Sequence, residues 1–443
     1  MSTENLIHRE RGLTIPSTAV FIAGDVAGTG ILALPKAVDN IGWVGLILML
    51  VFAGLSTYTG ALLGEAWTMA ASMFDDCKGH VQNPYQLLGE KTYGKIGRYA
   101  VSVSLHVSMF GTAIVFLLLS ADNIEMLFRA LGHDISFCFW LVIIAGCLVP
   151  LTWFGTPKDF WLIGYGATVA TALAAVIIVI SIGLDSPNQP TVHHQTVDFQ
   201  NTVLAFGTLV FTFGGHSCFL TFQMDMKREK DFKMAVICGY VVVLLMYLPV
   251  TSVGYFVYGV DLQHNVMSNL PTGPLSYIVM VLVTIHLLLA FIIILSPTIQ
   301  EVELTLNVPM EFTWKRCVVR LLIVACILFI AETIPKFSTL LSLMGGSSFT
   351  MTDFICPILL HMKMCKMKTE YKSSLTHDNS LEIQAAWTKP KELLPLWKKL
   401  LNYVIIGIGL LAGLATSVSA IINIVSPDSF SMPCYVSLGS DAL

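Results

Sequence analysis

Eleven stretches of about 20 mainly apolar residues follow one another along this chain, each long enough to cross a hydrocarbon layer of ~30 Å as a helix. They fall near residues 17–38, 41–64, 99–121, 137–155, 159–183, 200–223, 234–258, 273–296, 317–333, 337–361 and 401–425. Only 12% of the 443 residues are charged, against roughly 25% in soluble domains. The chain therefore reads as an all-α integral membrane protein embedded in a lipid bilayer. The apolar run after the polar first sixteen residues exceeds the ~7–15 residues of a signal-peptide core, so an uncleaved N-terminus is expected.

Eleven is odd, so the two termini lie on opposite sides, and the basic residues decide which side is which. With the N-terminus inside, 22 of the 25 Lys and Arg fall in inner segments and only Lys36, Arg129 and Lys336 in outer ones. The positive-inside rule thus predicts a cytoplasmic N-terminus and an extracellular or lumenal C-terminus. Nothing separates the plasma membrane from a lysosomal or vesicular one.

Ten cysteines show neither CxxC nor Cys/His metal spacing, so no metal is expected. Cys138 and Cys434 are the two placed on the outer side, where oxidation is permitted, and a disulfide between them is a hypothesis. P-loop, kinase, hydrolase and zinc signatures are absent from the sequence. An enzyme is therefore not expected, and neither is a cofactor or a nucleic-acid partner.

The first span contains AGDVAGTGILALPK at Ala23 to Lys36. Glycine is about 0.8–1.0 kcal/mol worse than alanine inside a helix, and Gly24, Gly28 and Gly30 crowd around Thr29. A break at this depth bares backbone groups that lipid cannot satisfy, so it must face protein, water or a ligand. Asp25 strengthens the point, because a carboxyl group inside a span usually marks a substrate or ion path. Close helix packing around the glycines is the alternative reading.

The sixth span breaks in the matching place, at Gly214 and Gly215, followed by His216 and Ser217. It opens a second group of five helices, which must cross in the opposite sense to the first. Two inverted five-helix halves, each opening with a discontinuous helix, point to a secondary transporter with its site at the bilayer midplane. The expected organisation is a cytoplasmic segment 1–16, a first repeat 17–183, an outer loop 184–199 and a second repeat 200–361. A cytoplasmic linker 362–400, partly helical, an eleventh helix 401–425 and an outer tail 426–443 follow.

Where the first helix restarts, the amides of Thr29, Gly30 and Ile31 form a positive end suited to a carboxylate. Where the sixth first stops, carbonyls around Phe211, Thr212 and Phe213 form a negative end suited to an ammonium group. A small molecule carrying both charges is an amino acid. Asp25, Gly28, Gly214, Gly215 and His216 complete the expected substrate site, with His216 either lining it, relaying a proton or packed as a buried histidine. His106 and His286 are weaker candidates, and Asp353, in the tenth span, is ranked below Asp25 as a residue facing an aqueous vestibule.

These residues resemble the amino acid/auxin permease family over nearly the whole chain. The most specific piece is GTGILALPKA at Gly28 to Ala37 with Gly42 and Trp43. Further matches are YQLLGEKTYG from Tyr85, FTFGGHS from Phe211 and the stretch Met226 to Phe232. GYFVYG from Gly254, the loop from Asn265 to Pro271 and IPKFSTLLSLMGG from Ile334 complete them. The resemblance implies a leucine-transporter-type fold, a 5+5 inverted repeat plus an eleventh helix, and symport of neutral amino acids with protons or sodium. Sodium-coupled relatives keep a hydroxyl in the eighth helix, whereas Leu287 to Leu295 carries none; Thr284 and Ser296 remain as candidate ion ligands. Protons are favoured, with Asp25 as the acceptor, because a carboxyl group at a desolvated break can take up and release a proton.

The reading predicts alternating access, the first and sixth helices rocking against a scaffold of the third, fourth, eighth and ninth. An amino-acid sensor binding the same ligand, signalling through Lys363 to Lys399, is the rival. A channel is disfavoured because the charges form no ring or repeated filter.

Overall fold

A computed structural model describes residues 12–153, 160–189, 192–194, 197–309, 311–378, 394–426 and 433–436. Most of the N-terminal segment, the middle of the linker and most of the outer tail lie outside these residues. The first span begins as α1 (Ile15–Val26), where Thr14 caps the helix by accepting from the Ser17 amide and Pro16 occupies its first turn. It resumes as α2 (Gly30–Ile41), bent by 63° from α1. The second span is α3 (Val44–Met73) and the third α4 (Pro84–Ala130).

α4 starts well before the apolar run at residue 99. Its first turns form a separate helical segment, set off by non-helical Tyr93 and by Gly94 at φ 65°, a conformation that costs glycine little. α5 (Phe137–Trp153), α6 (Phe160–Asp185), α7 (Phe199–Thr212) and α8 (His216–Met224) follow. Then come α9 (Phe232–Tyr258), α10 (Pro274–Thr305) and α11 (Trp314–Thr333). The tenth span is α12 (Phe337–Met344), a π-helical stretch Gly345–Ile355 and α13 (Cys356–Asp378), which runs on into the segment read as linker. α14 (Leu396–Val425) is the eleventh span.

Among the described residues, eight helices or helix runs and the bent α1/α2 pair are long and apolar enough to cross a membrane. α5, with 17 residues, is short for a span, and α11 carries Lys315 and Arg316 in its first turn; the two complete the eleven. Leu245 and Leu411, about 70% or more exposed, show the apolar outer surface that lipid covers.

Packing sorts the helices into two bodies. α4, α5, α10 and α11 all touch one another. α1 and α2 instead pack on α9, α7 and α8, with α3 closing that group. α6 touches α1 and α9 on one side and α10 on the other, while the tenth span touches α3, α7 and α4. Each repeat thus ends in a helix that connects the broken-helix group to the other body. Cys138, near the start of α5, forms a disulfide with Cys434, Cα atoms 5.4 Å apart, joining the tail to the fourth span.

Candidate functional site

The two breaks lie against each other at the centre of the bundle. A Cβ on Gly30 would run into the Thr212 side chain, 2.8 Å from its Oγ1 and 2.9 Å from its Cβ. One on Gly215 would lie 2.8 Å from Val26 and 3.1 Å from the Asp25 carboxyl. Glycine at these positions is what lets the restart of α2 approach the end of α7, and α8 approach α1.

Breaking a helix leaves carbonyls and amides without partners, and α9 satisfies part of the debt from the side. Tyr247 donates to the Val26 carbonyl at 2.9 Å, and Tyr240, two turns earlier, donates to that of Phe213 at 2.7 Å. The Val26 carbonyl also accepts from Gly28, and that of Phe211 from Gly214. Two of the three carbonyls expected to meet an ammonium group, those of Phe211 and Phe213, are therefore already engaged. Among the described residues, the Thr212 carbonyl and the Thr29, Gly30 and Ile31 amides make no hydrogen bond.

A cavity of about 150 Å³ lies between these ends. Asp25, Gly28, Thr29, Gly30, Phe211, Thr212, Gly214 and Gly215 line it, as do Phe116 of α4, His286 and Ile294 of α10 and Phe349 of the π-helical stretch. Asp25 Oδ2, Thr29 Oγ1 and Thr212 Oγ1 are buried and find no N–H or O–H donor or O acceptor among the described residues; the Cys218 thiol lies beside Asp25. Phe21 of α1 and Phe222 of α8 form one wall of the cavity, ring centroids 5.9 Å apart. Beyond them Leu13 and Met226 form a short parallel bridge, with Leu13 donating to Asp225 at 2.7 Å and accepting from Lys227 at 2.9 Å.

Several expected positions lie off the cavity. Ile31 and Phe213 do not line it. His216 is fully buried behind the second break, 3.0 Å from Thr59, 3.5 Å from Asp353 and stacked on Phe219. It begins α8, does not line the cavity, and has neighbours from α3, the tenth span and α8 itself.

Thr284 and Ser296 also lie outside the lining. Twelve residues along one helix separate them by about 18 Å, too far to ligate one ion together, and the Ser296 hydroxyl accepts from Gln300. His106 pairs with Thr298, whereas His286 lines the cavity with its Nδ1 3.3 Å from both Thr171 and the Ala167 carbonyl.

Asp353 faces no aqueous vestibule. It is 1% exposed, accepts from the Gly215 amide at 3.2 Å and from Thr352 at 3.0 Å, and so holds the second break from behind as Asp25 flanks it from in front. The sequence missed this role because partners 138 residues apart meet only through the packing of the tenth span on α7 and α8. The aromatic lining was missed too: Phe21, Phe116, Phe222 and Phe349 sit in ordinary apolar helical runs.

Comparison with known proteins agrees with this architecture. The profile of the family described as "Transmembrane amino acid transporter protein" matches residues 11–384. Among curated relatives, amino acid transporter AVT1E of Arabidopsis thaliana is 23% identical over 77% of this chain and 65% of its own length. Amino acid transporter AVT3A of the same plant is 25% identical over 78% of this chain and 80% of its own. The chain spans less than two thirds of the length of the AVT1E and AVT1C relatives.

Among solved structures, MhsT in complex with L-phenylalanine superposes with a TM-score of 0.57 at 12% identity, covering 93% of this chain and 100% of that one. A manganese transporter of Eremococcus coleocola, in a single-site mutant form, gives 0.57 at 11% identity, covering 100% and 96%. Those likenesses place the fold among leucine-transporter-type structures, and the relatives and fold neighbours are transporters rather than enzymes. With the profile matching over most of its length, the chain belongs to the transmembrane amino acid transporter family.

Proposed function

We propose that this protein is a secondary active transporter that moves neutral amino acids across a membrane by alternating access, coupled to protons. The observation that carries the reading is the cavity between the two breaks, with unengaged amides of Thr29 to Ile31 at one end and the Thr212 carbonyl at the other. Opposite helix ends suit a carboxylate and an ammonium group respectively. The walls between them are mainly phenylalanine and glycine with a few aliphatic residues, and Asp25 supplies the one carboxyl group of the lining among the described residues. An apolar cavity of about this size holds a benzene-sized molecule, which supports a small neutral side chain. The MhsT complex, whose ligand is L-phenylalanine, is consistent with that class.

The separation of the helices into two bodies supports alternating access, since α6 and the tenth span join them as connectors. Opening toward the Leu13 side must part Phe21 from Phe222 and break the bridge to Met226. A cytoplasmic N-terminus follows from the basic residues, and the Cys138–Cys434 disulfide fits an oxidising outer compartment for the tail. Thr284 and Ser296 lie off the cavity, which favours protons over sodium, with Asp25 as carrier.

The test is uptake of a labelled neutral amino-acid panel into proteoliposomes under an imposed proton or sodium gradient. Stimulation by the inward proton gradient is expected in the wild type and not in Asp25→Asn. Full gradient-driven accumulation by Asp25→Asn removes the proton role, and stimulation by sodium alone reverses the coupling. Binding without transport under either gradient leaves an amino-acid sensor.

A further inference from the structure

A second cavity, of about 340 Å³, opens where α3, α8, α9, α13 and α14 converge, and no residue lines both cavities. Its walls are charged. Lys230 reaches it from the turn just before α9, Lys233 from the first turn of α9, Lys368 from α13 and Lys398 from the first turn of α14. The carboxylates are Glu229 and Glu65, and Glu65 is already shared between Lys233 at 3.3 Å and the buried His361 at 3.4 Å.

Four lysines against two carboxylates leave the space positive, and like charges gathered round one cavity favour an anion in it. The first turns of α9 and α14 add two positive helix ends on the same side. The level in the membrane is marked by Leu396 and Trp397, 72% and 62% exposed next to Lys398, since tryptophan and lysine together anchor helix ends at the bilayer interface.

We propose that this cavity binds an anion bearing phosphate groups, either the phosphorylated headgroup of a bilayer lipid or a soluble phosphoanion of the same chemistry. Basic pockets between membrane helices suit such headgroups. The bound anion would tie α3 and α9, in the broken-helix group, to α13 and α14 outside it, and only that mechanical consequence rests on the alternating-access reading. The binding itself does not require transport.

The experiment uses the full chain in nanodiscs of phosphatidylcholine alone, with phosphatidylserine, or with phosphatidylinositol bisphosphate at equal total lipid charge, and soluble inositol trisphosphate as competitor. Retained lipid is read by native mass spectrometry. Wild type is expected to retain the bisphosphate lipid selectively. Each lost charge-assisted hydrogen bond weakens binding about tenfold, so Lys230→Gln with Lys398→Gln lowers retention by at least that factor, while Lys230→Arg with Lys398→Arg keeps it. Competition by inositol trisphosphate assigns the site to soluble phosphoanions as well, and its failure to a lipid. Equal retention of phosphatidylserine and the bisphosphate, or unchanged retention in a Gln variant that still elutes as a monodisperse peak, overturns the proposal. The readout stays valid if no amino acid is transported, so the two readings fail separately.

Discussion

Replacing Tyr240 by phenylalanine removes one hydroxyl from a fully buried ring and leaves its shape otherwise intact. The hydroxyl donates to the Phe213 carbonyl at 2.7 Å, and no other donor reaches that carbonyl among the described residues. A buried acceptor left unpaired costs about 1–3 kcal/mol. Tyr247 is also fully buried and donates to the Val26 carbonyl, but Val26 keeps the Gly28 amide as a second donor. Tyr247→Phe therefore loses only the net value of one hydrogen bond, about 0.5–1.5 kcal/mol.

The expected order is Tyr240→Phe more destabilised than Tyr247→Phe, with Tyr403→Phe, at an exposed position of α14, close to wild type. Denaturant titration of the purified protein, followed by intrinsic fluorescence, reads the three differences. Substrate affinity should fall in the same order if the tyrosines hold the breaks open for ligand. Equal effects at the two buried positions, or a Tyr240→Phe change no larger than that of Tyr403→Phe, would refute the assignment of the tyrosines as the groups that satisfy the breaks.

Gly30→Ala should cost about 1–3 kcal/mol through overpacking, because its Cβ enters the Thr212 side chain; adding Thr212→Ala should recover part of the loss, since the Thr212 Cβ still lies 2.9 Å away. Thermal melting of the single and double variants checks this, and no recovery would place the strain elsewhere. Cys138→Ser should free Cys434 to react with maleimide without reductant, which wild type resists, and destabilise by about 2–4 kcal/mol; labelling of wild-type Cys434 under oxidising conditions would contradict the disulfide.

The number of spans, their inverted grouping and the positions of both breaks are properties of local composition. Around Gly28 to Gly30 and at Gly214 and Gly215, several poor helix formers fall together inside apolar runs, and lipid cannot hydrogen-bond what they expose. From the expected topology a Cys138–Cys434 pairing is only a hypothesis, and it is the tertiary structure that joins the two. The first turns of α4, before Gly94, escaped a hydropathy count since they are too polar to register as a span.

Sequence by itself could say that backbone groups at the breaks would need partners, but not which groups would find them inside the protein. Tyr240 and Tyr247 take two carbonyls from a helix that neither break adjoins in sequence, and Asp353 takes the Gly215 amide from 138 residues away. For His216 the sequence left a cavity-lining, a proton-relaying and a packed position open, and the fold encloses it among Thr59, Asp353 and Phe219. Periodicity reports a helix's propensity to break and to face protein, a local property, whereas the satisfaction of a buried polar group depends on the neighbour that long-range packing delivers. The chain alone therefore determined where the helices stop, and tertiary structure decided which of their exposed ends remain for a ligand.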